Sequence, residues 1–204
     1  VNLSVKDGGT FKNSSHVNFQ NGSLTVEDGA FTNKEGGVVE LQDGTFTLSV
    51  TKADTVDDFT NAGTIVLKGN AQMTIDSGDD DPLAVETEDA LALNVGNVEI
   101  GQGATLTNKD KGYQVDNKDA EGEGDGEGVE PGEVQTLVHF GTVTVDGGQF
   151  INAEGARSEG TALVIESVAG GNNAAEIKGT SVWGTLRLSL EVGEGKMLSN
   201  FVDI

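Results

Sequence analysis

The chain has 204 residues, with 34 acidic and only 12 basic side chains, and its formal net charge is −22. This charge disfavours nucleic acids and anionic membrane surfaces, because both are recognised through clustered Lys and Arg. No apolar run reaches the roughly 20 residues of a membrane-spanning helix, and the N-terminus lacks the pattern of a signal peptide, so we expect no direct membrane insertion. Since the chain begins with Val1, we expect a processed piece of a longer protein.

The glycine and cysteine contents narrow the range of possible folds. Gly occurs 30 times, well above the usual share of about 7%. Cys is absent from the sequence, which removes disulfides, thiolate zinc sites and Cys nucleophiles. The hydrophobic fraction of 35% is enough for a thin core. We therefore expect one glycine-rich domain with little helix.

A short motif recurs from the N-terminus onward: apolar residues alternating with polar ones, a Gly, an apolar residue that is often Phe, and often an Asn. Its copies are 1–13, 22–33, 37–48, 63–75, 96–108 and 141–152. Alternation with a period of two indicates half-buried strands, and the Gly between them indicates a tight corner. The sequence thus predicts repeated strand–corner–strand units.

The spacing of the copies favours a solenoid. Two longer copies, 90–108 and 135–152, align over three short strands each; the aligned pairs are Val95 with Phe140, Gly96 with Gly141, Val98 with Val143 and Ile100 with Val145. Three strands and three corners in about 20 residues indicate one coil of a β-helix, in which each turn stacks on the one before. The alternative is an antiparallel sandwich, for which Asn21-Gly22 would supply a hairpin turn.

Two sets of recurring residues are candidates for interior stacks. The aromatic set follows the Gly corners and comprises Phe11, Phe31, Phe46 and Phe150. The polar set lies two residues further on and comprises Asn13, Asn33, Asn108 and Asn152. An Asn at these places either forms an ordered ladder at a left-handed corner or is simply a common turn residue.

Two acidic segments interrupt the repeat. The longer one, 116–133, is rich in Gly and Glu, and the shorter one lies around Pro82. Segments of this composition are usually solvated loops. Calcium is the alternative, because it prefers several oxygen ligands. The calcium candidates are Asp119, Glu121, Glu123 and Asp125 in the first segment and Asp79, Asp80 and Asp81 in the second.

The sequence offers little basis for catalysis. Among so many acidic residues, a glycosidase-type carboxylate pair cannot be singled out. His16 and His139 are the only imidazoles, and His139 lies in an apolar strand where an outward-facing or hydrogen-bonded histidine is expected rather than a general base. Arg157 and Arg187 are the only arginines, which leaves few groups to bind an acidic sugar. No nucleophile elbow, phosphate-binding loop or zinc-protease motif occurs.

Units such as 22–33 and 141–152, in an acidic chain without Cys, resemble the passenger regions of bacterial autotransporter adhesins and related right-handed β-helix surface proteins. The resemblance covers about residues 1–110 and 134–183, and its motifs specify architecture better than ligand. It implies export and an extracellular location at the bacterial cell surface. It supplies no catalytic motif, so no functional residue is carried over.

The expected fold class is all-β: a single right-handed parallel β-helix (β-solenoid) over 1–204, with coils of about 20 residues. The segment 116–133 is its acidic loop insertion and 184–204 its C-terminal cap. The expected function is non-enzymatic attachment to host or matrix glycans or proteins, or self-association, without a resident cofactor. The alternatives are a polysaccharide-active β-helix enzyme, of the lyase or glycoside hydrolase type, and a structural spacer without a ligand.

Overall fold

A computed structural model shows that the chain is built from strands. It describes residues 1–76, 81–85, 90–115, 132–166, 175–179, 185–192 and 198–200. From Ile165 onward it describes the backbone only. The strands are β1 Asn2–Lys6, β2 Thr10–Asn13, β3 His16–Gln20, β4 Ser23–Glu27, β5 Ala30–Asn33, β6 Val38–Gln42, β7 Thr45–Ser49, β8 Phe59–Asn61, β9 Thr64–Lys68, β10 Gln72–Asp76, β11 Leu83–Val85, β12 Leu93–Ile100, β13 Thr105–Asn108, β14 Tyr113–Val115, β15 Val138–Asp146, β16 Gln149–Asn152, β17 Arg157–Glu166, β18 Ala175–Gly179, β19 Thr185–Val192 and β20 Leu198–Asn200. A 3₁₀ helix, Ala53–Asp58, lies between β7 and β8. Within these ranges no helix is both long enough and apolar enough to cross a membrane.

The strands form two main parallel sheets. The first sheet has the order β1-β4-β7-β10-β13-β16-β18-β20. The second contains β19-β17-β15-β12, from which one row continues through β8, β5 and β2 and another through β9, β6 and β3. Strands adjacent in the chain mostly lie in different sheets or rows, and each pairs with its counterpart in the next repeat. The prediction of an all-β fold with stacked parallel strands is confirmed.

The dipeptide Asn21-Gly22 does not form the hairpin turn that an antiparallel sandwich would need. Asn21-Gly22 connects β3 to β4, and these two strands lie in different sheets. Asn21 adopts a φ of 50°, which turns the chain from one sheet to the other. Its dipeptide is therefore a corner between sheets, and the antiparallel sandwich does not describe these strands.

The register confirms part of the predicted alignment. Two predicted pairs face each other on β12 and β15: Val98 with Val143 and Ile100 with Val145. The alignments of Val95 with Phe140 and of Gly96 with Gly141 are each wrong by one residue, because Phe140 pairs with Gly96. Gly96 has a φ of 68°, and the register is irregular on both sides of it. A left-handed glycine breaks the regular ladder at this point.

The length of the repeat varies along the chain. Asn13 and Asn33, which occupy equivalent places in successive repeats, are 20 residues apart. The next step, from Asn33 to Asn61, takes 28 residues, and the step from Asn108 to Asn152 takes 44. The predicted coil of about 20 residues therefore describes the N-terminal repeats and the step from β15 to β17, where Val138 pairs with Ser158. Later repeats contain additional elements, including the 3₁₀ helix and the short strands β11 and β14.

The aromatic residues stack in the interior, as predicted, but in more than one group. The ring of Phe31 lies between Phe11 and Phe59, with centroid distances of 5.2 Å and 4.6 Å. Phe46 and Phe150 are buried on the first sheet instead. Phe59 was not predicted because it follows the 3₁₀ helix and has no Gly corner before it. Each stacked pair contributes about 0.5–1.5 kcal/mol beyond its burial.

The asparagines form two side-chain ladders. In the second sheet, Nδ2 of Asn13 donates to Oδ1 of Asn33 at 2.9 Å, and Nδ2 of Asn33 donates to Oδ1 of Asn61 at 2.8 Å. In the first sheet, Nδ2 of Asn108 donates to Oδ1 of Asn152 at 2.9 Å. Asn33 and Asn108 are fully buried. Because buried amides must be hydrogen-bonded, the ladders fix which strands can neighbour each other.

The left-handed geometry predicted for these asparagines is wrong. Among the described residues, the non-glycine positions with positive φ are Asn21, Asp28 and Asp43. The ladder residues occupy strand ends, where their side chains satisfy one another and the backbone of the following turn. Hydrogen bonding between the Asn side chains of successive repeats explains the recurrent Asn better than backbone strain does.

The C-terminal segment extends both sheets. β19 pairs in parallel with β17, and β20 pairs in parallel with β18. The segment 184–204 thus contributes a further strand to each sheet. Its role as a cap stays a prediction.

Candidate functional site

A cleft of about 340 Å³ lies beside the first residues of β12, β15 and β17. One part of its wall is formed by residues 90–92, and another by residues 133–136 with Tyr113. The charged part is formed by His139, Arg157 and Glu159. This volume is at the lower end of the about 300–1,000 Å³ typical of small-ligand sites.

Strand alternation places His139 on the outer face. Its neighbours Val138 and Phe140 point into the core and are buried. His139 pairs in register with Glu159 on β17, and its Nδ1 lies 3.1 Å from Oε1 of Glu159. Both side chains are about one-third exposed, at 32% and 33%. His139 is therefore outward-facing and paired, as expected from the sequence.

Arg157 joins two walls of the cleft. Its Nη1 donates a hydrogen bond to the carbonyl oxygen of Val134 at 2.5 Å. Its backbone N–H donates to the carbonyl of Asp110 at 2.8 Å, and its own carbonyl accepts from Nδ2 of Asn108 at 3.0 Å. Arg157 is thus fixed through its backbone by Asn108 of the asparagine ladder. Its side chain in turn fixes the segment 133–136.

Tyr113 fixes the remaining wall. Its backbone exchanges two hydrogen bonds with Gln135, at 3.0 Å and 2.7 Å. Its phenolic oxygen accepts from the backbone N–H of Leu91 at 3.3 Å. The buried Tyr113 side chain therefore links segments 90–92 and 133–136. These bonds give the cleft its shape without a ligand, as is usual for binding sites.

A buried carboxyl group lies beneath this region. Asp110 is 1% exposed, and its Oδ1 accepts from the backbone N–H of Gly112 at 2.7 Å. Its Oδ2 has no hydrogen-bond partner among the described residues. Burial raises the pKa of Asp110 to about 7, and the charge of Asp76 acts in the same direction. Near neutral pH this group therefore exchanges between its protonated and ionised forms.

The cleft lies at one end of a line of polar side chains on the outside of the second sheet. We call Thr32, Thr60, Asn94, His139 and Glu159 the outer polar row. Each member pairs in register with the next, on the neighbouring strands β5, β8, β12, β15 and β17. Thr60 and Asn94 are exposed, and the other three are half-buried. The same register continues to Lys12 at one end and Arg187 at the other.

The second histidine lies elsewhere. His16, on the outside of β3, has its Nε2 3.7 Å from Oε2 of Glu40. The same carboxylate accepts from Nδ2 of Asn18 at 2.7 Å and from Nζ of Lys68 at 2.6 Å. The two histidines are thus not brought into one site, and Glu40 is already occupied by surface contacts.

The predicted calcium ligands remain without support. Asp119, Glu121, Glu123, Asp125, Asp79 and Asp80 lie outside the described residues, and Asp81 is exposed. Within the part of the chain that the structure describes, no group of three or more His, Asp or Glu side chains could hold a metal ion. Calcium binding by the acidic segments stays a prediction.

The sequence alone did not indicate the cleft. Glu159 and Asn94 lie 20 or more residues from His139 in the chain and reach it only through parallel pairing. A partial signal was present, since Asn94 and His139 each precede an apolar residue in the same phase of the repeat, whereas Glu159 precedes Gly160. Reading it required the register, which depends on the lengths of the intervening insertions.

No protein-family model, curated protein or solved structure matches this chain. The geometry of the cleft and the outer polar row offers a preformed concave site next to an extended polar surface.

Proposed function

We propose that this chain is a right-handed parallel β-solenoid that acts as a non-enzymatic, adhesin-like attachment protein at the bacterial cell surface or in the surrounding medium. The parallel, in-register stacking of both main sheets supports the solenoid. Such repeats bury their inward residues only against neighbouring repeats, so the fold extends into a long and rigid surface. A surface of this kind is suited to presenting a binding face.

The cleft at the end of the outer polar row is the observation that carries the attachment function. A spacer without a ligand needs no preformed concavity with polar side chains converging on it. Here His139, Glu159 and Arg157 converge, and Tyr113 holds the walls apart. Host or matrix glycans, or proteins that present similar groups, are the partners we propose for it.

The contacts within the cleft favour binding over turnover. The Arg157 guanidinium donates to a backbone carbonyl, and His139 is paired with Glu159. These side chains already hold the cleft together, and this role favours a static site. The net charge of −22 further favours partners that are neutral or basic, because the field of the protein repels anions.

An enzyme acting on polysaccharides is the second candidate, and one specific observation supports it. Such an enzyme needs two acidic groups with a basic partner in one groove, and Glu133, Glu159 and Arg157 all line the cleft. The sequence had suggested that arginine was too scarce for this arrangement. We rank the enzyme second because Arg157 and Glu159 are engaged in contacts within the protein.

Native affinity electrophoresis tests the proposal. The purified chain would run through gels that contain neutral or acidic polysaccharides, and mass spectrometry of the same polysaccharides would detect shortened products. Immobilised matrix proteins would be tested in parallel. Retention without cleavage supports attachment, whereas shortened products favour the enzyme. Absence of retention on every glycan and protein would leave the spacer.

A further inference from the structure

We infer that the outer polar row and the cleft together bind a linear neutral polysaccharide, whose axis runs across the strands. One end of the bound segment enters the cleft, and the rest follows the row towards Thr32. This inference rests on the proposed attachment function and specifies the ligand class for it.

The spacing of the row is the first argument. Neighbouring strands in a sheet lie about 4.8 Å apart, so side chains paired in register repeat at that distance. An extended chain of β-1,4-linked pyranose units advances by a slightly greater distance per sugar. Thr60, Asn94 and His139 lie on three successive strands in register. Successive sugars can therefore meet successive side chains along the whole row.

The chemistry of the row is the second argument. Sugar hydroxyls both donate and accept hydrogen bonds, and so do the Thr hydroxyl and the Asn amide. Thr60 and Asn94 are exposed, so their polar groups can reach a chain lying on the sheet. Glu159, at the cleft end, adds a carboxylate that accepts from hydroxyls.

The cleft supplies the third argument, because its walls differ in character. Residues 90–92, with Leu91, and the Val134 side present apolar groups, whereas His139 and Glu159 are polar. A pyranose ring likewise has C–H faces and a rim of hydroxyls. The volume of about 340 Å³ accommodates a short piece of such a chain, with its faces against the apolar wall.

The negative charge of the protein favours a neutral polysaccharide as the ligand. The net charge of −22 repels acidic polysaccharides before they reach the surface. Two carboxylates, of Glu133 and Glu159, and one guanidinium, of Arg157, line the cleft, so the formal charge of the site itself is small. A strongly cationic chain would bind to acidic surfaces everywhere on the protein and gain little from this place.

Calorimetry with a length series tests the inference. The probes are β-1,4-linked cello-oligosaccharides and chito-oligosaccharides, from disaccharide to hexasaccharide, with oligogalacturonates of equal length as the acidic series. We expect the affinity of the neutral series to rise with length and the acidic series to bind at least about tenfold more weakly. Equal affinity for all neutral lengths, or tighter binding of the acidic series, would overturn the inference.

Matched variants locate the binding. The double substitution Thr60→Ala/Asn94→Ala should weaken hexasaccharide binding about two- to tenfold and leave disaccharide binding unchanged. The control Asn18→Ala/Thr47→Ala removes the same groups from β3 and β7, away from the row, and should change neither. Equal losses in both double variants would contradict the row, and circular dichroism would confirm that each variant is folded.

The outcomes separate this inference from the proposed function. Retention on matrix proteins without any saccharide binding would overturn the polysaccharide row and leave attachment supported. Length-dependent binding accompanied by cleavage would support the row and contradict the non-enzymatic function.

Discussion

Two buried aspartates show how differently two regions of this molecule are built. Asp28, in the N-terminal repeats, accepts hydrogen bonds from the backbone and hydroxyl of Thr51, from the backbone of Lys52 and from the hydroxyl of Thr55. Burial acts to raise the pKa of Asp28, but these hydrogen bonds outweigh it and the pKa lies below its usual value. Asp110, beside the cleft, has a single backbone donor on Oδ1 and a pKa raised to about 7.

The two regions differ in how completely their buried polar groups are hydrogen-bonded. We call residues 1–76 the regular region, and 90–115 with 132–166 the cleft region. The regular region has short repeats, satisfied corners and stacked aromatic rings. The cleft region contains a step of 44 residues between equivalent asparagines, and Oδ2 of the buried Asp110 has no hydrogen-bond partner among the described residues. Proteins commonly accept such local costs where they build a site, because the surrounding structure supplies the stability.

Phe31→Ala should have the largest effect on stability. Its side chain is fully buried between two rings, and its removal leaves a cavity that the flanking strands cannot fill. We expect the free energy of unfolding to fall by about 3–5 kcal/mol, measured by urea denaturation. A loss below about 1 kcal/mol would show that the regular region is not tightly packed at this stack.

Asp28→Ala should cost about 2–4 kcal/mol at neutral pH, because several donors around the 3₁₀ helix lose their acceptor. The pKa of Asp28 is lowered in the folded state, so its ionisation stabilises the fold above the unfolded pKa of about 4. That contribution disappears as the pH falls through the lower folded value. The difference between wild type and variant should therefore shrink in acid; a constant difference down to pH 2 would contradict this explanation.

Asp110→Asn should act in the opposite direction. The pKa of Asp110 is raised to about 7, so the unfolded chain releases this proton first as the pH rises. Stability should fall from about pH 4 and reach its full penalty above pH 7. Asn keeps the acceptor for Gly112 and removes the charge, and we expect it to stabilise the protein by about 1–3 kcal/mol at pH 8 and by almost nothing at pH 4. Thermal melts at the two pH values provide the measurement, and equal shifts at both would refute the assignment.

His139→Ala should have the smallest effect on stability. Its side chain is partly exposed and its contact with Glu159 lies at the surface, so we expect a loss of at most about 1 kcal/mol. Binding to a neutral polysaccharide should fall much more than stability does. If instead the variant unfolds readily, His139 belongs to the structural framework of the cleft region and not to a binding surface.

The architecture could be predicted because its signal is local. Alternation of apolar residues marks each strand, and Gly or Asn marks each corner, so copies such as 22–33 and 141–152 can be recognised from the sequence. The recurrent Asn also indicated a ladder, although Asn61 was missed because its repeat has no preceding Gly corner. Composition indicated the insertion 116–133, whereas nothing in the alternation indicated the 3₁₀ helix that lengthens the repeat between β7 and β8.

The site could not be predicted because it depends on contacts between distant segments. His139 meets Glu159 only through the register of β15 and β17, and Arg157 meets Val134 through a side-chain bond to the backbone. In a chain with 34 acidic residues, no single Glu stands out. The partner that matters is decided by pairing across the stack.

Hydrogen–deuterium exchange of the full chain, with and without a neutral β-1,4-linked hexasaccharide, tests the central claim most directly. We predict slower exchange of backbone amides in residues 90–94, 133–139 and 157–159, and unchanged exchange in β4 and β7 of the first sheet. Protection confined to the first sheet, or no protection at saturating hexasaccharide, would contradict it.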